Sequence, residues 1–302
     1  MALPQRDGLD LKAYLARQRS TVGTYLDRFL PPSDTRPEII HEAMRYSVFS
    51  GGKRVRPILA LATGEALETE FEKLIYLACA LEMIHTYSLI HDDLPAMDDD
   101  DYRRGKLTTH KKFGEGIAIL AGNGLLTHAF QLLGRIPCER EATRLEIIDT
   151  ICSAIGTEGG LIGGQVMDLI TQGKPFSRDQ LEYIHSSKTG ALIEASIYCA
   201  SLLSTASAEK RRQLRAYGAR VGLSFQVADD LLDVEGSQEQ LGKASNKDAQ
   251  TLKATYPSLL GVEKARQIKQ ELTKSAVEAI SFLEQRGQVL EAIALFIANR
   301  DS

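Results

Sequence analysis

Two groups of aspartates carry the strongest chemical signal in this 302-residue chain. The first is Asp92-Asp93-Leu94-Pro95-Ala96-Met97-Asp98, and three further aspartates follow it directly. The second is Asp229-Asp230-Leu231-Leu232-Asp233, in which the outer two aspartates lie one helical turn apart on the same face. Acidic runs are usually solvated surface, but each group borders or interrupts an apolar helix, where unpaired carboxylates are costly. We therefore predict a shared cavity that holds cations; two unrelated acidic surfaces are the alternative.

The ligand type indicates which cations these are. Carboxylate oxygens select Mg²⁺ or Ca²⁺ over zinc or copper. Mg²⁺ takes few protein ligands and completes its octahedron with waters and substrate phosphates. A calcium-binding loop counted from Asp92 or Asp98 is excluded, because its sixth position would be Met97 or Arg103 where Gly is required. The aspartates therefore predict magnesium.

Clustered cations near the first group could bind the phosphates. Gly51-Gly52-Lys53-Arg54-Val55-Arg56-Pro57 places three of them beside a flexible turn. It is no Walker A loop, because Ser47 and Arg54 replace the required Gly and Ser/Thr. Lys53 could still bind a diphosphate with its point charge, and Arg56 with its planar guanidinium. Two further cations, Arg103-Arg104, follow the aspartate run.

Each of the other candidate residues has an ordinary structural interpretation beside the functional one. His85 lies two turns before Asp92 on nearly the same helical face, although a lone His on an apolar helix is more often a core residue. Lys188-Thr189-Gly190 interrupts an apolar helix, where a Lys needs a partner. Lys243 and Lys253 lie in the polar segment 235–257, and they are either part of a closing lid or solvated surface charges.

Composition excludes several classes of protein. The formal net charge of −4 argues against a general affinity for nucleic acid. The four cysteines form no CxxC pair, which indicates a reducing compartment, and residues 1–7 contain no secretory h-region. The apolar stretch 74–91 contains Glu82 and His85 and predicts a buried helix, not a membrane span. We expect a cytoplasmic protein without stable membrane insertion.

Helical periodicity dominates the chain. It predicts a first helix over about 11–29, a second from Pro37 to Gly51-Gly52 and a third after Pro57. Further helices are predicted over 71–91, 114–134, 139–157, 160–172, 178–204 and from Ser207 to Val234, and two more are predicted after Pro257. Ser177 and Gln180 predict a capping box, and Gly159-Gly160-Leu161-Ile162-Gly163-Gly164 predicts a close approach of helices. Without a strand pattern, a repeat or a linker, one all-α domain over residues 1–302 is the simplest architecture.

Six motifs, in order, resemble the short-chain trans-polyprenyl diphosphate synthases, specifically the bacterial farnesyl diphosphate synthases. They are Gly51 to Pro57, Asp92 to Asp98 with the Pro95-Ala96 insertion of the bacterial and plant-type branch, Arg103-Arg104-Gly105, Lys188-Thr189-Gly190-Ala191, Phe225 to Asp233, and Lys253 to Pro257. The resemblance extends from about residue 40 to the end. One departure is Ala121-Gly122-Asn123, where the family usually has Asp in third place.

The resemblance implies an orthogonal bundle of long helices around a central cavity, the isoprenoid synthase fold, in a homodimer. It implies three Mg²⁺ ions held by Asp92, Asp93, Asp98, Asp229 and Asp233. It implies an isopentenyl diphosphate site made by Gly52, Lys53, Arg56, His85 and Arg104. Contacts to the allylic diphosphate would come from Arg103, Lys188, Thr189, Gln226, Lys243 and Lys253. The catalytic residues would be Asp92, Asp93, Lys188, Thr189, Gln226 and Asp229.

The implied reaction joins isopentenyl diphosphate to dimethylallyl or geranyl diphosphate by ionisation, condensation and elimination, and builds a fifteen-carbon product. A geranylgeranyl diphosphate synthase is the alternative within the class, since it shares every motif. A non-catalytic prenyltransferase-like subunit would have lost one aspartate group. A terpene cyclase would not need Lys53 and Arg56, the residues expected to bind isopentenyl diphosphate.

Product length is predicted to depend on Tyr87. This residue lies five positions before Asp92, about 7–8 Å along a helix that rises 1.5 Å per residue. A tail that runs back along the helix from Asp92 would pass the small Ser88 and meet the phenol ring. The alternative is that Tyr87 is an ordinary core residue.

Overall fold

The computed structural model describes the backbone of residues 9–240 and 255–299, and the side chains of 9–234 and 255–299. The chain divides into two compact units, an N-terminal unit of residues 12–148 and a C-terminal unit that is made mainly of residues from Asp149 onwards. Each unit is described by itself. The prediction of one domain over residues 1–302 stays a prediction.

Helices build nearly all of the N-terminal unit. They are α1 (Leu11–Phe29), α2 (Glu38–Val48), α3 (Val55–Ala66), α4 (Phe71–Asp92), α5 (Thr109–Phe113), α6 (Glu115–Gly134) and the first part of α7 (Glu141–Ile155). A hairpin of two-residue strands, β1 (Tyr102–Arg103) and β2 (Lys106–Leu107), pairs Tyr102 with Leu107 in antiparallel register. Helix α4 packs against α3 and α6.

Among the residues that the structure describes, two helices are long and apolar enough to cross a membrane by length and composition alone, α4 and α6. Most of the apolar window of α4 is buried inside the protein, as in the core helix of a soluble protein. Leu77, Leu81 and Ile84 are among its fully covered side chains. The prediction of a buried helix over 74–91 is therefore confirmed.

The C-terminal unit is also helical. It contains α8 (Leu161–Thr171), α9 (Arg178–Ile184), a π-helical segment (His185–Gly190), α10 (Ala191–Leu202), α11 (Ala208–Gln240), α12 (Tyr256–Leu260), α13 (Val262–Ala279), a 3₁₀ segment (Ser281–Gly287) and α14 (Gln288–Ala298). Helix α11 packs against α10 and α13. The all-α prediction is confirmed.

Several predicted boundaries need correction. The single helix expected over 178–204 is wrong, because the π-helical segment interrupts it at His185–Gly190. Helix α3 begins at Val55 and not after Pro57, since a proline is tolerated in the first turn. The segment from Glu235 was expected to be a loop, yet α11 continues to Gln240. The β1–β2 hairpin was not predicted at all.

The capping box at the start of α9 is confirmed. The backbone N–H of Gln180 donates to Oγ of Ser177 at 3.2 Å, and Oε1 of Gln180 accepts from the Ser177 N–H at 2.9 Å. Both donors would otherwise lack a partner at this helix end.

Candidate active site

The first aspartate group lies where α4 ends. The helix stops at Asp92, and the chain then folds back on its last turn. The Asp98 N–H donates to the carbonyl of Asp92 at 2.9 Å, and the Asp100 N–H donates to that of Asp93 at 3.2 Å. Pro95 cannot continue a helix, so the acidic run forms a tight loop against the helix end.

Asp93 is the buried member of this group and is 3% exposed. One of its carboxylate oxygens accepts from Nε of Arg103 at 2.6 Å and from Nη2 at 2.5 Å. Burial raises the pKa of Asp93 above its usual range, and the Arg103 guanidinium opposes that shift. Because Arg103 belongs to β1, the missed hairpin is the element that carries this cation to the aspartates.

The next residue, Arg104, turns towards the glycine turn before α3. Its Nη1 donates to the carbonyl of Gly51. A Cβ atom on Gly52 would lie 2.5 Å from that same nitrogen, and the φ of Gly52 is +124°. Glycine is needed at residue 52 both for the backbone conformation and for the space that Arg104 occupies.

Arg54 has a structural role. It is 7% exposed, and it donates to Glu82 of α4 and to the carbonyl of Val48. This buried pair fixes the turn from Gly51 to Lys53 against α4. Of the three cations in the motif, Arg54 is therefore committed to the fold, while Lys53 is exposed.

His85 lies among arginines. Burial and the charges of Arg56, Arg104, Arg54 and Arg103 together hold the pKa of His85 well below its usual value. Desolvation also lowers the pKa of Arg56 to about 10, which leaves that side chain cationic at neutral pH. His85 is therefore neutral, in a region of concentrated positive charge that suits an anion.

Tyr87 and Ser88 are both buried in α4, at 7% and 6% exposure. The ring of Tyr87 meets the ring of His91 edge to face, with centroids 5.4 Å apart. Oγ of Ser88 donates to the carbonyl of His85 at 3.0 Å, within its own helix. Their role in product length stays a prediction.

The second aspartate group divides by burial. Asp229 is half-buried and Asp233 is exposed, whereas Asp230 is 4% exposed. One oxygen of Asp230 lies 2.9 Å from Nε2 of His185 and accepts from the Tyr256 N–H at 2.9 Å. Asp230 thereby ties α11 to the π-helical segment and to the start of α12.

The π-helical segment presents the predicted Lys188 and Thr189. Nζ of Lys188 donates to Oδ2 of Asp168 at 2.6 Å. Oγ1 of Thr189 donates to Oε1 of Gln226 at 3.0 Å, and Nε2 of Gln226 reaches Oδ1 of Asp230 at 3.3 Å. Two separate sets of hydrogen bonds thus hold the predicted site residues of this unit, Lys188 on Asp168, and Thr189 with Gln226 on Asp230.

Glycine allows this close packing. A Cβ atom on Gly164 of α8 would overlap the backbone nitrogen of Lys188 and lie 2.8 Å from its Cα. A Cβ atom on Gly222 of α11 would lie 2.8 Å from the Cα of Gly190. The interpretation of the Gly159–Gly164 stretch as a place where helices approach closely is confirmed at Gly164.

The comparisons with known proteins agree with this arrangement. The family model described as Polyprenyl synthetase matches residues 37–295. A farnesyl diphosphate synthase from Geobacillus stearothermophilus is 43% identical, over 97% of this chain and 99% of the relative. A geranylgeranyl diphosphate synthase from Cyanophora paradoxa is 41% identical, over 99% of both chains. The chain belongs to the polyprenyl synthetase family. It is therefore a trans-prenyltransferase that acts on isoprenoid diphosphates.

A solved structure supports the fold. The crystal structure of an FPP/GFPP synthase from Zymomonas mobilis has a TM-score of 0.85 and 36% identity, and the match covers 96% of this chain and 99% of that one. The isoprenoid synthase fold that the sequence predicted is thereby confirmed.

The oxygen donors fit the magnesium that this prenyl synthase family uses. Asp92, Asp93 and Asp98 offer carboxylates at the end of α4, and Asp229 with Asp233 offers two more on α11. All-oxygen ligands are those that Mg²⁺ prefers. Asp230 is the exception, because both of its oxygens already accept from donors of the protein.

Two residues of this prenyl synthase were missed by sequence reasoning. The first is Asp168, which pairs with Lys188. The second is Gln165, which lies one turn before Asp168 on α8 and is 7% exposed. Both amide atoms of Gln165 lack a hydrogen-bond partner among the described residues. The signal was present, because Gln165-Val166-Met167-Asp168 follows the glycine stretch directly. Lys243 and Lys253 lie outside the described residues.

Proposed function

We propose that this prenyl synthase is a (2E,6E)-farnesyl diphosphate synthase that condenses isopentenyl diphosphate with dimethylallyl or geranyl diphosphate. The observation that carries the proposal is the pair of unlike anion sites around the end of α4. One is the aspartate group, where Asp93 pairs with Arg103, and the other surrounds the neutral His85, on which four arginine charges act, that of Arg103 included. One suits a diphosphate bound through metal ions, and the other suits a diphosphate bound by cations directly.

Each side of this arrangement receives one substrate in the proposal. Isopentenyl diphosphate binds to the cation-rich side, through Gly52, Lys53, Arg56, His85 and Arg104. The allylic diphosphate binds near the aspartates, through Arg103, Lys188, Thr189, Gln226, Lys243 and Lys253. The bonds from Arg104 to the glycine turn and from Arg103 to Asp93 support this division, because neighbouring arginines point to different partners.

The metal ligands in the proposal are Asp92, Asp93, Asp98, Asp229 and Asp233, for three Mg²⁺ ions. When bound, Mg²⁺ supplies Lewis-acid stabilisation of the departing diphosphate. Arg103 and Lys188 add positive charge that does not depend on the metal. Both cations already have carboxylate partners, Asp93 and Asp168, so they are held in place before substrate arrives.

Thr189 and Gln226 stabilise the allylic carbocation in the proposal. The Thr189 hydroxyl donates its only proton to Gln226, so its lone pairs remain available to face positive charge. Neither side chain is a strong nucleophile, so the dipoles lower the energy of the cation without trapping it. The double bond of isopentenyl diphosphate then adds to the cation, and the released diphosphate removes the final proton.

A geranylgeranyl diphosphate synthase is the second candidate, because relatives of both names match over nearly the whole chain, at 43% and 41% identity. A non-catalytic subunit is disfavoured by the presence of both aspartate groups. We further propose a homodimer in the cytoplasm. The exposed Ile119 and Leu120 on α6 support an interface between copies, since apolar side chains of this size favour burial.

The experiment that tests the proposed function removes one aspartate from each group. Asp93→Ala and Asp229→Ala should each lower kcat for Mg²⁺-dependent incorporation of labelled isopentenyl diphosphate by about 10³-fold, as when a preorganised electrostatic group is lost. Asp34→Ala, at an exposed aspartate outside both groups, is the matched control and should keep normal turnover. Near-normal turnover in either active-site variant would refute the metal assignment.

A further inference from the structure

A second cluster of possible metal ligands lies beside the β1–β2 hairpin. Asp99, Asp101 and His110 each offer one ligand atom, and the three atoms lie within 4.8 Å of one another. None of them belongs to the five aspartates proposed for magnesium. Asp101 directly precedes β1 and His110 lies in α5, just after β2. The cluster therefore brackets the hairpin that carries Arg103 and Arg104.

His110 supplies an independent sign that a ligand is missing. Its side chain is 6% exposed, and its Nε2 is buried without a hydrogen-bond partner among the described residues. A buried polar atom that loses its water and gains no partner destabilises the folded protein. Because His110 shares its cluster with two carboxylates, a bound cation would give this nitrogen a partner.

The hydrogen bonds of Thr108 determine which form of His110 is present. The Thr108 hydroxyl has one proton, and it donates that proton to the carbonyl of Asp100 at 2.8 Å. Towards Nδ1 of His110, 3.1 Å away, the same hydroxyl must therefore act as an acceptor. Nδ1 then carries the hydrogen and Nε2 carries the lone pair, the arrangement that metal-binding histidines show.

We propose that Asp99, Asp101 and Nε2 of His110 bind a divalent transition-metal ion of the zinc class, separate from the catalytic magnesium. An imidazole nitrogen favours Zn²⁺ over Mg²⁺. Three protein ligands with a water in fourth place form a regular tetrahedral site. The two aspartates are exposed, so their carboxylates can be reached by an ion from solvent.

Lys111 competes for this site, because its Nζ lies 2.8 Å from Oδ1 of Asp101. Both side chains are largely exposed, so this ion pair is weak and a metal ion can displace it. A bound ion would connect the two ends of the hairpin and hold Arg103 in place opposite Asp93. The role is structural, and it does not depend on which isoprenoid the protein makes.

The test measures zinc retention and needs no activity assay. The full chain is loaded with one equivalent of Zn²⁺, dialysed against excess Mg²⁺, and analysed for bound zinc by mass spectrometry. Wild type should retain about one zinc per chain. His110→Asn keeps a donor near the position of Nδ1 but removes Nε2, and it should lower zinc affinity by at least about tenfold. His128→Asn, at a histidine elsewhere in the unit, should retain zinc like wild type.

Lys111→Gln gives a prediction of opposite sign. Removal of the competing ammonium should raise zinc affinity by about two- to fivefold, the range of an exposed ion pair. If His110→Asn fails to fold by circular dichroism, Asp99→Asn and Asp101→Asn decide instead, since both residues are exposed. The proposal would be overturned if these variants retained as much zinc as wild type, or if wild type retained none. It would also be overturned if His128→Asn lost as much zinc as His110→Asn.

Discussion

Adjacent aspartates of the second group have different roles. Asp230 is enclosed by His185, Gln226 and the Tyr256 N–H, whereas Asp229 and Asp233 lie on more open faces of α11. A carboxylate that accepts bonds on both oxygens has little capacity left for a metal ion. The sequence placed Asp229 and Asp233 together through their spacing, but it contained no sign that Asp230 holds α12 in place.

The neutral state of His85 leads to a prediction about its titration. Because burial and four arginine charges hold its pKa well below the usual value, His85 should be uncharged in the substrate-free protein at pH 7. Isopentenyl diphosphate would offset the arginine charges and raise that pKa. Titration of the imidazole proton by NMR, with the signal assigned through His85→Asn, measures both values.

The control for this experiment is His41 of α2, a half-buried histidine whose imidazole signals should not move when isopentenyl diphosphate is added. The assignment of His85 to this substrate would be wrong if its pKa in the free protein were at or above the ordinary value. It would also be wrong if the ligand left the pKa unchanged.

Tyr87 is predicted to stop the growing chain. Tyr87→Ala should shift the main product from farnesyl towards geranylgeranyl diphosphate, because the ring would no longer block a longer tail. Ser88→Phe should stop the chain at ten carbons. Chromatography of the products after incubation with Mg²⁺, isopentenyl diphosphate and dimethylallyl diphosphate, the five-carbon primer, measures both shifts.

Tyr87→Phe is the matched control, since it keeps the ring and should keep the fifteen-carbon product. Loss of a buried aromatic ring costs about 3–5 kcal/mol, so the fold of Tyr87→Ala is checked by circular dichroism. A folded, active Tyr87→Ala that still makes only farnesyl diphosphate would show that another residue limits the chain.

At the scale of the elements, the contact between α8 and the π-helical segment sets the position of Lys188. Gly164→Ala should destabilise the protein by about 1–3 kcal/mol, because the new Cβ would overlap the Lys188 backbone and not a mobile side chain. Urea unfolding gives the change in the free energy of unfolding.

The matched variant is Gly23→Ala, in the interior of α1 with no atom within 4 Å of the new Cβ. It should stabilise the protein by about 0.5–1 kcal/mol, the usual helical advantage of Ala over Gly. Similar changes in both variants would mean that α8 does not constrain Lys188.

Element boundaries show which physical signals a sequence carries. Pro31-Pro32 and the Ser177–Gln180 box act locally, and the helix ends that they predicted are confirmed. The π-helical segment packs on residues that are distant in sequence, with Gly164 against Lys188 and Gly222 against Gly190. Strands of two residues are too short to show alternation, so the hairpin that presents Arg103 could not be predicted.

At the scale of the whole molecule, ordered motifs identified the family and the all-α fold, and they proposed most site residues. Partners that depend on tertiary contacts were not predicted, among them Asp168 for Lys188 and Asp93 for Arg103. The loop lysines Lys243 and Lys253 lie outside the described residues, and their lid role stays a prediction. Asn123, where the family usually has Asp, is exposed on α6.

The central claim is that this prenyl synthase makes a fifteen-carbon product. The most direct measurement incubates the wild-type protein with Mg²⁺, geranyl diphosphate and a large excess of isopentenyl diphosphate, and identifies the products by chromatography. We predict that farnesyl diphosphate accumulates while isopentenyl diphosphate remains. Geranylgeranyl diphosphate as the main product, or no Mg²⁺-dependent product at all, would contradict the account.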